Sequence, residues 1–229
     1  MTMEGNAAPP DFLVPPEIRV GQLYENPVTG ERGIVRVPPV AANDGLLVAD
    51  LYLRLGGAVA AEHVHPHIAE AFTVVRGHLQ VRHSGHELRV GPGDRTLVAP
   101  GVAHEFWNAG AEETHVVVEV RPGQRFEQMI RQTFLAAQDG RTDAKGRPRP
   151  LQGAMLLREF ADTMVLTSPP PAVQKLLLGL LHSIARLTGH RAIDPEYAAR
   201  ELPVVDLEPL PPAIVERIPG LAQPLTVEP

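Results

Sequence analysis

Between Gly45 and Gly57 the odd positions Leu47, Ala49, Leu51, Leu53 and Leu55 are all apolar, whereas Asp50, Tyr52 and Arg54 fall on even ones. A period of two predicts a strand with one face toward a core. From Gly57 to Pro122 similar short runs follow one another: AEHVH, EAFTVV, HLQVR, HELRV, DRTLVA, AHEFWN and THVVVEV. Turn formers separate them at Gly77, at Ser84 and Gly85, at Gly91 to Gly93, at Pro100 and Gly101, and at Ala109 and Gly110. Short strands at nearly regular spacing predict an all-β sandwich or barrel. Upstream, GQLYENPVTGERGIVRVPP reads as two strands around a turn at Asn26 to Gly30. In the last strand His115 and Glu119 share a face opposite Val116, Val118 and Val120, and are expected on an outward polar face.

Past Pro122 the period lengthens. QRFEQMIRQTFLAAQDG and LQGAMLLREFADTM read as helices, joined by the basic, Gly/Pro-rich segment 140–150 with Arg141, Lys145, Arg147 and Arg149, a solvated linker. The clearest helix is PAVQKLLLGLLHSIARLTG, stopped by Gly189. Its stripe of Val173, Leu176, Leu177, Leu180, Leu181, Ile184 and Leu187 is expected to pack on the barrel or on a second subunit. The organisation is therefore a flexible lead (1–20), a β-barrel with an N-terminal strand pair (21–122), a helical extension (123–201) and a Pro-rich tail (202–229), extended and either loose or laid along the surface.

Composition narrows the chemistry. Hydrophobic residues make up 44% of the chain but aromatic ones only 4%, so the core must be built of Val, Leu, Ile and Ala. A net charge of -6 argues against nucleic-acid binding, which needs a positive field at the phosphates. With no cysteine, disulfides and thiolate chemistry are excluded, and any metal must be held by nitrogen and oxygen. The first residues lack a basic region followed by an apolar one, and no uncharged apolar run is long enough for a membrane span; a cytoplasmic protein without membrane partners is expected.

The stretch HVHPHIAEAF, residues 63–72, carries the candidate chemistry. On a strand His63 and His65 project to one face, and Pro66 ends regular pairing. Glu70 is expected to open the next strand, running back alongside the first and bringing a carboxylate to two imidazoles. A fourth donor, His104, follows the turn in PGVAHEFWN, facing inward with Phe106 while Glu105 and Trp107 face out. His67 lies beyond Pro66 in the turn and is read as a neighbour of the site, and His78, His83 and His86 sit around an exposed hairpin tip. Phe72, Phe106 and Leu53 are candidate pocket walls.

These residues resemble a known family. GAVAAEHVHPHIAEAFTVVRG is similar to the first cupin motif at Gly57, His63, His65, Glu70 and Gly77. GDRTLVAPGVAHEFWN resembles the second at Gly93, Pro100, Gly101, His104 and Asn108, departing at Ala99, where that motif has proline. The resemblance spans residues 31 to 122 and implies a mainly β fold, the cupin double-stranded β-helix or jelly-roll barrel, here with a C-terminal α-helical extension. It implies one divalent transition metal ion (Fe, Mn, Ni, Cu, Co or Zn) held by His63, His65, Glu70 and His104, a donor set whose chemistry suits all of these ions. Cupins of this kind are often homodimers through N-terminal strands, a role open to segment 17–40. The leading functional expectation is a metal-dependent oxidoreductase, dioxygenase-like, acting on a small organic molecule, with Glu70 as general base. The alternatives are a metal-dependent isomerase or lyase, in which the ion polarises a carbonyl, and a non-catalytic cupin that binds a small ligand. No residue names the substrate.

Overall fold

A computed structural model describes residues 17–218 and Leu221; the rest of the lead (1–16) and of the tail (219–220 and 222–229) lie outside the described residues. Two antiparallel sheets face each other. The first orders its strands β1 (Leu23–Asn26), β2 (Glu31–Val37), β3 (Leu47–Leu53), β10 (Thr114–Arg121), β5 (Ala69–Arg76) and β8 (Arg95–Val98). The second runs β11 (Val165–Leu166), β4 (His63–Val64), β9 (Ala103–Asn108), β6 (Leu79–His83) and β7 (His86–Val90). Neighbours such as β3 and β10, or β4 and β9, are far apart in sequence, the connectivity of a jelly roll. Leu53, Phe72, Val74, Leu79, Val81 and Phe106 fill the space between the sheets. Gly77 is required at its turn: φ is +75°, and a Cβ there would lie 2.9 Å from the Thr114 backbone.

The N-terminal strand pair joins its own chain's sheet beside β3. Its outer edge is covered by the tail, with Leu23 N donating to the Pro203 carbonyl (2.9 Å) and Val205 N to that of Gly21 (2.9 Å). The described part of the tail is therefore laid along the surface, and it includes a helix that the sequence pattern did not announce, α5 (Pro212–Arg217). Ile214 and Ile218 pack on Val37, Leu46, Val48 and Val117, the side of the first sheet that faces away from the barrel interior.

That cover corrects one expectation. The outward face of β3 and β10 carries Asp50, His115 and Glu119 as read, beside Val48 and Val117, but Asp50 and His115 are fully buried and Glu119 nearly so. His115 Nε2 meets Asp50 Oδ1 at 2.8 Å and its ring stacks on Tyr52, while Arg36 donates to the same Asp50 oxygen at 2.8 Å. Glu208, from the tail, accepts from Tyr52 and Arg76. Alternation tells which side a residue points to, but not what later segment will cover it. Truncating Ile218 to Ala is expected to cost about 2–5 kcal/mol, read by chemical denaturation, because a fully buried branched side chain leaves a cavity. A loss under about 0.5 kcal/mol, the size of a neutral surface change, would mean the tail does not hold the sheet.

The extension forms α1 (Gln124–Gln138), α2 (Pro150–Glu159), α3 (Pro171–Leu187) and a short α4 (Pro195–Ala199). Helix α1 closes one end of the barrel, its Phe126, Met129, Ile130 and Phe134 lining the same cavity as Phe72 and Val118. Helix α3 packs on α2, yet most of its apolar stripe is not covered by the barrel: Leu176 is 75% and Leu187 88% exposed. The stripe is longer around the helix than the strip that α2 and the loops can bury. Segment 140–150 is ordered locally, with Asp143 accepting from the backbone of Lys145 and Arg147.

Candidate metal centre

The first donor sits on β4 and the second just past its end. His63 pairs directly across from His104 on β9, and Pro66 then turns the chain away. The turn is pinned by buried Ile68 and by Gly101 N donating to the His65 carbonyl at 2.8 Å, so the two glycine-bearing segments hold each other. Glu70 does not lie in a hairpin with His63, as the sequence reading expected. Strand β5 pairs with β10 and β8 in the opposite sheet, because the turn at Pro66 carries the chain across the barrel. Three imidazoles of one sheet thus face one carboxylate of the other.

All four groups are buried, and their donor atoms lie within 4.8 Å of one another. His63 Nε2 and His65 Nε2 stand 3.1 Å apart; Glu70 Oε2 is 2.8 Å from His104 Nε2 and 3.6 Å from His65 Nε2. The remaining nitrogens are turned outward to backbone carbonyls: His63 Nδ1 to Ala61 (2.9 Å), His65 Nδ1 to Thr163 (2.6 Å) and His104 Nδ1 to Val102 (3.0 Å). A carbonyl can only accept, so each Nδ1 carries a hydrogen and each Nε2 faces inward, offering its lone pair when the ring is neutral. Converging lone pairs and a carboxylate repel one another unless a cation sits among them. The donor set therefore fits a divalent metal ion.

The charges agree. Burial, aided by the neighbouring imidazoles, pushes His63 down to about 3, keeping it neutral and ready to ligate. Burial alone would raise Glu70, but the imidazoles of His65, His104 and His63 outweigh it and bring the carboxyl down to about 2. For His104 burial works the other way, and the Glu70 carboxylate overrides it to hold the ring above the ordinary histidine range. In the metal-free protein that pair shares a proton, which a bound cation displaces.

The centre opens on a cavity of about 140 Å³ inside the barrel, walled by Leu51, Phe72, Phe106, Val118, Phe126 and Met129. Phe72 and Phe106 are thus walls as expected, whereas Leu53 belongs to the packed core. A second cleft of about 730 Å³, between the barrel mouth and α2 and α3, shares Glu31, Val59, His63 and Ile130 with it. Sequence reasoning missed Glu31, the first residue of β2, whose carboxyl burial pushes up to about 7 against the Thr29 hydroxyl and with help from the Glu70 charge. It also missed Thr163, which acts through a backbone carbonyl and so carries no side-chain signal. His67 is exposed and outside the cluster; of the hairpin histidines only His86 is exposed, while His78 and His83 are half-buried.

Comparison with known proteins places these features. The family model described as "Cupin domain" matches residues 52–120, which include all four donors. No curated protein matches the chain. Among solved structures the chain is similar to the Schizosaccharomyces pombe Cnp3 cupin domain (12% identity, 43% of this chain and 66% of that one, TM-score 0.38). It therefore spans just under two thirds of that structure's length. It is also similar to an uncharacterized conserved protein with a double-stranded β-helix domain from Klebsiella pneumoniae (26%, 41% and 78%, TM-score 0.36). A third similarity is to KdgF from Halomonas sp. (18%, 42% and 82%, TM-score 0.36). Among the described residues no helix is long and apolar enough to cross a membrane.

Proposed function

We propose that the chain, whose residues 52–120 match the cupin domain, is a metal-dependent oxidoreductase of the dioxygenase kind acting on a small organic molecule. The observation that carries the reading is an oriented three-histidine, one-glutamate donor set at the wall of an almost wholly apolar cavity. His63, His65 and His104 through Nε2, and Glu70 through Oε2, would hold a divalent transition metal. When bound, that ion supplies Lewis acidity and, if redox-active, a binding position for dioxygen.

The chain's own residues do the rest. Phe72, Phe106, Val118 and Phe126 exclude water and favour apolar solutes, dioxygen among them. The carbonyls of Ala61, Val102 and Thr163 fix the rings and their tautomers. Glu70, ionised at neutral pH, is the group we assign as proton acceptor once it is released from the metal. No lysine or arginine among the described residues lines the inner cavity, which disfavours an isomerase working on phosphorylated sugars.

The test is elemental mass spectrometry on untagged protein purified without chelator, followed by oxygen-uptake measurements. About one equivalent of iron, manganese, nickel, copper or cobalt per chain is expected, with uptake stimulated by apolar substrates. Zinc alone, restored by no redox metal on exchange, would overturn the oxidoreductase reading in favour of non-redox chemistry. A chain that takes up no metal on titration would overturn the reading altogether.

A further inference from the structure

We infer that Glu31 anchors the ligand, and that the ligand is a mostly hydrocarbon molecule carrying a hydroxyl or an amine whose O–H or N–H donates to the Glu31 carboxylate where the two cavities meet. The inference deepens the proposed function and rests on it only for which end of the ligand reacts.

Three observations lead there. The first is placement: Glu31 lines both the inner cavity and the outer cleft, as His63 does, so it stands where the two meet. The second is that Glu31 is committed to no cation. It is 8% exposed, and among the described residues no lysine, arginine or histidine forms an ion pair with it. The other acids of the inner cavity are engaged. Glu127 accepts from Tyr24 (2.5 Å) and Arg131 (2.9 Å), Glu70 belongs to the metal cluster, and the Asp50 carboxylate is turned outward to Arg36 (2.8 Å) and His115 (2.8 Å). Against its burial Glu31 has the Thr29 hydroxyl but no cation, and a donor brought by a ligand lowers the remaining cost.

The third observation is size and polarity. The inner cavity, about 140 Å³, admits only the reacting end of a molecule, whereas the outer cleft, about 730 Å³, has the volume usual for a whole small ligand. Leu157, Phe160, Leu166, Leu177, Leu178 and Leu181 border the cleft, so the body lying there is hydrocarbon. The cations bordering the cleft are exposed Arg147 and Arg149, and Arg147 is paired with Asp143 at 2.7 Å. Apolar surroundings with one free carboxyl select a neutral or cationic donor over an anion at this point.

Isothermal titration calorimetry on the full metal-loaded chain tests this with 1-octanol, its isomer 1-methoxyheptane, which has no donor, and octylammonium. At about pH 9, where Glu31 is ionised, octanol is expected to bind about tenfold or more tightly than the ether, the usual effect of a hydrogen bond to a charged group. Glu31→Leu should erase that ratio, and Glu31→Gln, which keeps a neutral acceptor and the shape, should keep a smaller preference for octanol while losing any extra affinity for octylammonium. Octylammonium bound more tightly than octanol identifies a cationic ligand, and the reverse a neutral one. An ether that binds as well as the alcohol, or a ratio unchanged in Glu31→Leu, overturns the inference. Metal content measured on the same samples separates the two readings. A metal-free chain that still prefers octanol fails the functional proposal alone, whereas a metal-loaded chain without the preference fails this inference alone.

Discussion

Replacing His104 with Ala is expected to empty the metal centre and to leave the protein markedly less stable, while His67→Ala leaves both properties unchanged. His104 is fully buried, and its Nε2 sits 2.8 Å from Glu70 Oε2. Its loss therefore removes a metal donor and at the same time the nearest partner of a buried carboxylate. Breaking a buried pair from one side costs about 3–5 kcal/mol, since the remaining charge is uncompensated. The more diagnostic readout is the response to metal. An ion that binds only the folded state raises its melting temperature in proportion to the logarithm of its concentration over Kd. Wild-type protein should show that rise with added divalent metal, and His104→Ala should not. If the cluster were only a buried polar network, the variant would lose stability but keep whatever metal response the wild type has. Retained stoichiometric metal in His104→Ala would sink the four-donor centre.

The four donors were legible because histidine and glutamate are chemically distinctive residues at spacings that strands make meaningful. His63 and His65 share a face by alternation, and His104 follows a Pro-Gly turn that fixes its direction. The strands from β3 to β10 were legible for a similar reason, since alternation and turn residues act locally. What escaped depends on segments distant in sequence. Glu70 reaches the histidines from the opposite sheet and not through a hairpin, because a turn's direction across a barrel is a tertiary matter. His115 and Asp50 point outward as read, yet are buried because residues 208–218 return over them. Helix α3 was legible as an amphipathic helix, but its pattern does not say how much of the stripe its own chain covers.

Phe160 is the residue through which the helical extension reaches the metal centre, and Phe160→Ala is expected to weaken metal binding about 10–100-fold, the range typical of disturbed outer hydrogen bonds to a ligand. The chain of contacts is short. Phe160, at the end of α2, is 1% exposed and packs with Met129 and Leu156. Its carbonyl accepts from Thr163 N (2.9 Å) and Met164 N (2.8 Å), closing the turn that presents the Thr163 carbonyl to His65 Nδ1 at 2.6 Å. Arg125 lies over its ring, tying the same turn to α1. Truncating the ring should cost about 3–5 kcal/mol of stability, so stability alone does not separate a positioning role from ordinary packing. Metal affinity of the folded variant does, with Ile218→Ala as the control: a comparably buried residue on the outer side of the sheet, whose loss should lower stability and leave metal affinity as it was. Equal metal affinity in Phe160→Ala and wild type would show that the barrel alone orients His65. A selective loss would mean that the extension, which the cupin match at residues 52–120 does not include, completes the site from outside the barrel.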